Sequence, residues 1–474
     1  MVARPLNSSD WLGFPLKPDS SFEIILPVLS KSCLFPVHCF IDGLFFADSR
    51  PKLRQRKQRL NRKWYQLGLV CLLSVGMGLL LYTHSLSEEK TTLDLRPHTL
   101  ADTSGKIEEV VINLPSDLSQ ETLPVLEQLL RLLPSDVSVK VCCTDDTYLD
   151  GFMNDCRWLF DPKRRHSDIV LSGLKLTPWA RDRRIPRTDA YGRARSSLIP
   201  PPKPWHGADR RDETRLPFIM HQLDLAPDYE TLPFFLDGGN MVSDEDRVFI
   251  GGNHLEMHGL RKSNASELKE MLGHFLGRPV FFVHGSGGKV PWSHLDMFFT
   301  VLPGKRAMVA SHALAKSLMD ASKLNQASSM ELVQSIMLNP KTEVMLDEIA
   351  QQLGRLGYRV TRVAGIPNPE QQWFLTYNNV LMDFRENRSI VILPHYGIPC
   401  LDEHARDLYT SLGFEVAPIN VRSIYQDGGA IRCFANVTRR KPGWLEKSDP
   451  LVTQGYLRVH RVGIWEHLEI SSQD

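Results

Sequence analysis

Gln426-Asp427-Gly428-Gly429-Ala430-Ile431-Arg432-Cys433 is a polar stretch that follows the apolar run Phe414 to Val421 and ends on a cysteine. Its two glycines open backbone conformations and close approaches denied to other residues. Four earlier segments share its character, with polar residues at the end of an apolar run beside small or aromatic ones. They are Trp179-Ala180-Arg181-Asp182, Asp237-Gly238-Gly239-Asn240, His294-Leu295-Asp296 and Tyr377-Asn378-Asn379. Counted at Asp182, Asn240, Asp296, Asn379 and Cys433, successive elements lie 58, 56, 83 and 54 residues apart. Such spacing suggests repeated structural modules, each giving one element to a shared centre. No sequence repeat accompanies it, so the inference rests on spacing alone.

The chain between these segments alternates in period. Glu108 to Pro115 reads as a strand, Ser119 to Leu133 as an amphipathic helix stopped by Pro134, and Ser138 to Cys143 as a second strand. The pattern repeats with strands at Val248, Val280, Met308, Tyr358, Ser389 and Phe414, and helices over 264–276, 312–324, 344–356 and 402–412. Gly413 supplies a helix C-cap. Repeating strand–helix units predict an α/β architecture. Arg187 to Leu216 breaks the pattern with four prolines at 200, 201, 202 and 204 and many arginines, and is expected to be a long surface loop.

The chain has 474 residues with 42% hydrophobic, 23% charged and a net charge of +1, so no global field favours nucleic acid or acidic partners. Eight basic residues lie between Arg50 and Lys63, just before the uncharged apolar run Leu67 to Tyr82. At 1.5 Å per residue, Trp64 to Thr83 makes about 30 Å of helix, enough to cross a bilayer core. Residues 1–63 are therefore expected to be a cytoplasmic tail, 64–84 a transmembrane signal-anchor, 85–105 a stalk, 106–447 the catalytic domain and 448–474 a C-terminal extension. The positive-inside rule then puts the catalytic domain on the lumenal, periplasmic or extracellular side. There, disulfides among Cys142, Cys143, Cys156 and Cys400 are allowed, leaving Cys433 as the odd thiol. Asn264, Asn387 and Asn436 begin glycosylation triplets.

The five segments hold the parts needed to attack a guanidinium. That group is planar, cationic and weakly electrophilic. Two carboxylates, Asp182 and Asp296, can grip its nitrogens in bidentate fashion. A thiolate at Cys433 is a strong enough nucleophile if a neighbouring cation lowers its pKa. His294 can give a proton to departing ammonia and take one from water. His294 and Asp296 are two apart and face the same way on a strand. Gly428 and Gly429 allow the loop before Cys433 to close over a substrate.

Together, WxRD, GGN, HxD and GGxxxC, in this order over about Ile107 to Lys447, resemble the pentein-fold guanidine-modifying enzymes. These include agmatine deiminases, peptidylarginine deiminases, arginine deiminases and amidinotransferases. The resemblance implies a five-bladed pseudo-symmetric α/β propeller. It implies that Asp182 and Asp296 bind the guanidinium, His294 is the acid/base and Cys433 forms a covalent amidino adduct. Asp237 would orient His294, in place of a longer Glu in many relatives, and Asn379 would lie near the site, with Trp179 and Asn240 as binding or supporting residues. Two departures stand out: Arg183-Arg184 replaces a Gly-Pro turn after WxRD, and Arg432 replaces a histidine before the cysteine. The expected activity is a deiminase releasing ammonia, with peptidyl-arginine favoured over agmatine because of the expected membrane placement. An amidinotransferase or a non-catalytic pentein binding module are the alternatives. No cofactor and no metal are expected. Gly285-Ser286-Gly287-Gly288-Lys289 lacks the first glycine and the Ser/Thr of a phosphate loop, and His254-Leu255-Glu256-Met257-His258 has its Glu misplaced for a zinc protease. The arginines from 181 to 187 read as a solvated basic face.

Overall fold

Five separate sheets hold the strands of the computed structural model, which describes residues 96–118, 120–146, 167–189, 192–203, 207–257, 265–322, 340–368, 373–441 and 457–462. One chain order recurs: a strand, an antiparallel neighbour, helix, then a strand parallel to the second. Ile185–Thr188, Ala194–Ile199 and Asp228–Thr231 make the first such unit. Met241–Ser243, Val248–Gly251 and Val280–Val283 make the next. Phe299–Leu302, Arg306–Ser311 and Arg359–Asn368 follow, then Leu381–Arg385, Arg388–His395 and Phe414–Asn420. The fifth joins distant parts of the chain: Ala435–Lys441 pairs antiparallel with Lys106–Leu114, which runs parallel to Ser138–Cys143. Ser167–Leu171 and Leu457–Arg461 extend that sheet.

The crossover helices form where one face is apolar. Pro340–Arg355 buries Leu346, Ile349 and Leu353, spaced three and four apart, against the sheet. Pro399–Ser411 starts on a proline, and Asp402 in its first turn accepts the Ile398 and Tyr396 N–H groups at 2.7 and 2.9 Å. It ends ahead of Gly413, whose φ of 93° suits the left-handed cap. The 83-residue step between Asp296 and Asn379 spans the unit with helices His312–Ser322 and Pro340–Arg355 and an additional strand, Trp373–Thr376.

Several expectations change. The long loop expected over Arg187 to Leu216 holds the strand Ala194–Ile199 and helix Ala208–Asp212, and Arg187–Thr188 ends another strand. Its signal was hidden because polar side chains point inward in pairs: Arg187 is buried and bonds Ser196 Oγ, Glu230 and the Phe275 carbonyl. Arg181, Arg183 and Arg184, expected on a solvated face, are likewise buried. The stalk expected over 85–105 is folded at its end, since His98–Thr99 pairs with Ile185–Thr188. The extension after 447 returns one strand, Leu457–Arg461, to the fifth sheet.

The single-pass membrane placement, with a lumenal, periplasmic or extracellular catalytic domain, is corrected. Among the described residues no helix is long and apolar enough to cross a membrane. The longest, Pro340–Arg355, has 16 residues, about 24 Å at the helical rise, and carries charge throughout. The apolar run at 64–84 lies outside the described residues, as does Cys156. Cys142, Cys143 and Cys400 are free thiols. Asn436 is fully buried, with its Nδ2 donating to the Ala180 and Arg184 carbonyls at 3.2 and 2.9 Å, so its triplet is no glycan acceptor in the folded chain.

All five polar segments occupy the same place in their units, directly before the first strand. Asp182 precedes Ile185, Asn240 precedes Met241, Asp296 precedes Phe299, Asn379 precedes Leu381, and Cys433 precedes Ala435.

Candidate active site

Cys433 lies on the one-turn helix Ile431–Phe434 and is buried. Asn379 fixes it from two directions. Its Nδ2 donates to Cys433 Sγ at 3.2 Å, and its Oδ1 accepts the Arg432 and Cys433 N–H groups at 2.8 and 3.3 Å. The Arg181 N–H also donates to the Cys433 carbonyl. Ahead of this helix Gly428 turns the chain at φ 80°, and Gly429 packs closely against Trp179. The indole stacks on Phe434 with centroids 4.9 Å apart. The two glycines thus close the loop against the protein's own Trp179.

His294 is the N-cap of the short helix Leu295–Met297, and Asp296 is its middle residue. His294 Nε2 faces Asp237 Oδ2 at 3.3 Å and Nδ1 faces Asp182 Oδ1 at 3.9 Å. Burial lowers the imidazolium's pKa, but Asp182, Asp237 and Cys433 together raise it well above the ordinary histidine value. The shorter aspartate at 237 therefore does reach the histidine. Its remaining oxygen, and part of the first, go to Arg183 and Lys203, and these cations with His294 hold its pKa well below the carboxylate range despite burial. Gly239 cannot be larger: a Cβ there would meet His294 Nδ1 at 2.6 Å and Asp182 Oδ1 at 3.2 Å. Asn240 Nδ2 donates to Asn253, which donates to the Ser293 carbonyl next to His294.

The two expected guanidinium-binding carboxylates differ. Asp296 is 1% exposed, and only its Oδ2 is engaged, by Arg432 Nη1 at 2.7 Å. Its Oδ1 has no partner among the described residues. Burial raises its pKa more than Arg432 and His294 lower it. Asp182 has both oxygens in use, Oδ2 by Arg210 Nη2 at 2.6 Å and Oδ1 by the Gly239 N–H at 3.2 Å. Its pKa is lowered, with burial opposing His294 and Arg210. The Cys433 thiol is raised, first by burial, then by Asp296, against the His294 contact.

Reading the sequence singled out Cys433, His294, Asp296, Asp182, Asp237 and Asn379, and the fold brings these side chains together. It did not single out Asp102, Arg210, Lys203 or Glu213. Asp102 accepts Arg432 Nη2 on both oxygens, at 3.1 and 3.0 Å, and the Ser243 N–H at 3.0 Å. Glu213 accepts Arg210 and the Thr177 N–H and hydroxyl. The one available signal was the pair of departures from the family pattern. Arg183 and Arg432 are the cations now found on Asp237 and Asp296.

The sequence matches no family model and no curated protein. Solved structures match by fold. The agmatine deiminase of C. jejuni aligns over 73% of this chain and 97% of its own, at 13% identity and a TM-score of 0.51. A cysteine-to-serine variant of that enzyme with substrate bound aligns with the same coverage and identity and a TM-score of 0.52. A third structure, assigned only provisionally as an agmatine deiminase, aligns over 74% of this chain and 96% of its own at 14% identity, with a TM-score of 0.53. The chain has the pentein fold of the agmatine deiminases. Here Asp182, Asp237, His294, Asp296, Asn379 and Cys433, which come from the segments ahead of the first strands of five sheets, lie together.

Proposed function

We propose that this chain hydrolyses a guanidinium C–N bond in a small arginine-type substrate, releasing ammonia and a ureido product. One observation carries the reading: a buried thiol, held by Asn379 and influenced by the His294 imidazolium, beside a buried carboxylate oxygen on Asp296 that lacks a partner among the described residues. A buried, unpaired carboxylate oxygen is costly, by about 1–3 kcal/mol, and a guanidinium N–H satisfies it. We also read the five sheets as the blades of one ring about this centre.

The substrate guanidinium lies between Asp296 and Asp182. Its positive charge offsets the two carboxylates that, with burial, hold the Cys433 thiol up, so as substrate arrives the thiol gives its proton to solvent and the thiolate forms. Sulfur attacks the central guanidinium carbon. The C–N bond then breaks, and the protonated His294 gives its proton to the leaving nitrogen, which departs as ammonia. The amidino group stays on sulfur. His294, now neutral, takes a proton from water as the oxygen attacks the same carbon. The C–S bond breaks, the added hydroxyl passes its proton to the departing sulfur, the Cys433 thiol is restored and the neutral ureido product leaves. The earlier preference for peptidyl-arginine rested on the membrane placement and goes with it.

The test is ammonia release by the full chain from arginine, agmatine and N-acyl arginine amide. Release from at least one is expected, with loss of about 10³-fold or more in Cys433→Ser, since removing a catalytic nucleophile abolishes most of the rate. Full activity in that variant would overturn the mechanism.

A further inference from the structure

Asp182 should offer an acceptor to the substrate, yet in the substrate-free chain each of its oxygens already has a donor. Its Oδ2 takes Arg210 Nη2 at 2.6 Å, and its Oδ1 takes the Gly239 N–H at 3.2 Å and faces His294 Nδ1 at 3.9 Å. Asp296, by contrast, keeps one oxygen without a partner among the described residues. One half of the two-carboxylate grip is open. The other is filled by a group chemically identical to the head of the proposed substrate.

We propose that Arg210 is an internal competitor for the guanidinium position, occupying Asp182 until a substrate guanidinium displaces it. This rests on the guanidinium-site reading above. Arg210 belongs to the five-residue helix Ala208–Asp212, within the arginine-rich segment that stood out in the sequence. Its side chain is 17% exposed against 3% for Asp182, so of the pair it is the one that reaches solvent more readily. It also has somewhere to remain. Nη1 donates to Glu213 Oε2 at 2.9 Å and to Thr177 Oγ1 at 3.1 Å. Giving up Asp182 therefore leaves the guanidinium with two partners. Exchange swaps one charge-assisted bond for another of the same kind, so displacement is nearly balanced for a guanidinium. An ammonium lacks the planar fork and gains less from the swap. The apparent affinity of any guanidinium is reduced by the fraction of molecules in which Arg210 has left. Arg210 thus acts as a specificity-determining residue.

The test uses Cys433 alkylation followed by intact mass spectrometry, which needs no known substrate. Chloroacetamidine carries an amidinium into the site, and iodoacetamide is its neutral comparison. In Arg210→Gln the chloroacetamidine rate is expected to rise about tenfold relative to iodoacetamide, the factor given by an Asp182 vacated in most rather than about a tenth of molecules. Arg210→Lys keeps the charge without the fork and should fall between. An unchanged or lower ratio in Arg210→Gln with an unchanged melting temperature overturns the proposal. A second measurement uses the wild-type chain alone. The amidinium adduct should accelerate hydrogen exchange at Arg210 to Asp212 relative to the acetamide adduct, because it expels Arg210 from Asp182. Equal exchange also overturns the proposal. If neither wild type nor variant prefers the amidinium reagent at all, the guanidinium-site reading itself has failed and this proposal falls with it.

Discussion

Replacing Gly429 by alanine should displace the nucleophile without touching its chemistry. A Cβ on Gly429 would lie 2.3 Å from Trp179 Cζ3, 2.7 Å from Cη2 and 3.0 Å from Cε3. Carbon atoms settle about 3.5 Å apart, so the contact must open by about 1.2 Å. The indole has little room to move, because it stacks on Phe434, which is fully buried. The backbone of Gly428 to Cys433 must yield instead, and it carries Cys433 away from Asn379 Nδ2, now 3.2 Å from the sulfur. A misplacement of about 1 Å costs on the order of 100-fold in rate, or about 2.7 kcal/mol, and overpacking of this kind costs about 1–3 kcal/mol of stability. The expected outcome is a 100-fold fall in kcat/KM for ammonia release, a matching fall in the Cys433 alkylation rate and a lowered melting temperature. Adding Trp179→Leu opens the space, so the double variant should be less impaired than the two single effects predict. Wild-type activity in Gly429→Ala, or strictly additive effects in the double variant, would refute the packing argument.

Asp102→Asn removes the charge that balances Arg432 while keeping one acceptor. It should destabilise the chain by about 1.5–3 kcal/mol, the range for a hydrogen bond to a charged group, read from the urea midpoint. An unchanged midpoint would deny the bridge any weight. The His294–Asp237 pair sets a pH window. His294 is raised, so its stabilisation is complete below about pH 6.5 and is lost as pH climbs through its folded value. Asp237 is lowered, so its share is present above about pH 3.9 and lost as pH falls through its folded value. Wild-type stability should decline above neutral pH while His294→Gln stays flatter there, and parallel curves would contradict the pairing. Burial and Asp296 raise the Cys433 thiol. Iodoacetamide should therefore label the substrate-free chain slowly at neutral pH, with a rate still climbing in the alkaline range. A plateau below pH 8 would mean a preformed thiolate.

Much of the architecture was legible because it rests on periodicity. Lys106–Leu114, Ser138–Cys143 and Pro399–Ser411 carry strong apolar patterns, and they fold where those patterns place them. The five polar segments were legible for a related reason. Each is a break at the end of an apolar run, and in the structure each directly precedes the first strand of a unit. What escaped is pairing over long distances. Asp102 lies 330 residues from Arg432, and no local pattern marks it as that cation's partner. Arg183, Arg184 and Arg187 looked solvated because burial of an arginine depends on a partner elsewhere in the fold. Lys140 is another instance, buried in a central strand and paired with Glu109. The strand Ala194–Ile199 escaped for the same reason, since Ser196 and Ser197 point inward to receive Arg187 and Arg184.

That pattern of hidden partners changes how the centre works. Five carboxylates lie in or beside it: Asp102, Asp182, Asp237, Asp296 and Glu213. Arg183, Arg210, Arg432, Lys203 and a protonated His294 are set against them. A bare cluster of buried carboxylates would repel itself and protonate; the cations hold Asp102, Asp182 and Asp237 low, while Asp296 and Glu213 stay raised, and they do so at the cost of occupying acceptors. A guanidinium therefore does not fall into an empty anionic well. On the proposed reading, at Asp296 it would satisfy an oxygen that has no partner among the described residues, and that contact would be a net gain. At Asp182 it would replace Arg210, and that contact would be an exchange. Binding strength should come mainly from the first carboxylate and selectivity for a planar fork mainly from the second. The two aspartates look equivalent in sequence, and their in-chain partners give them different work.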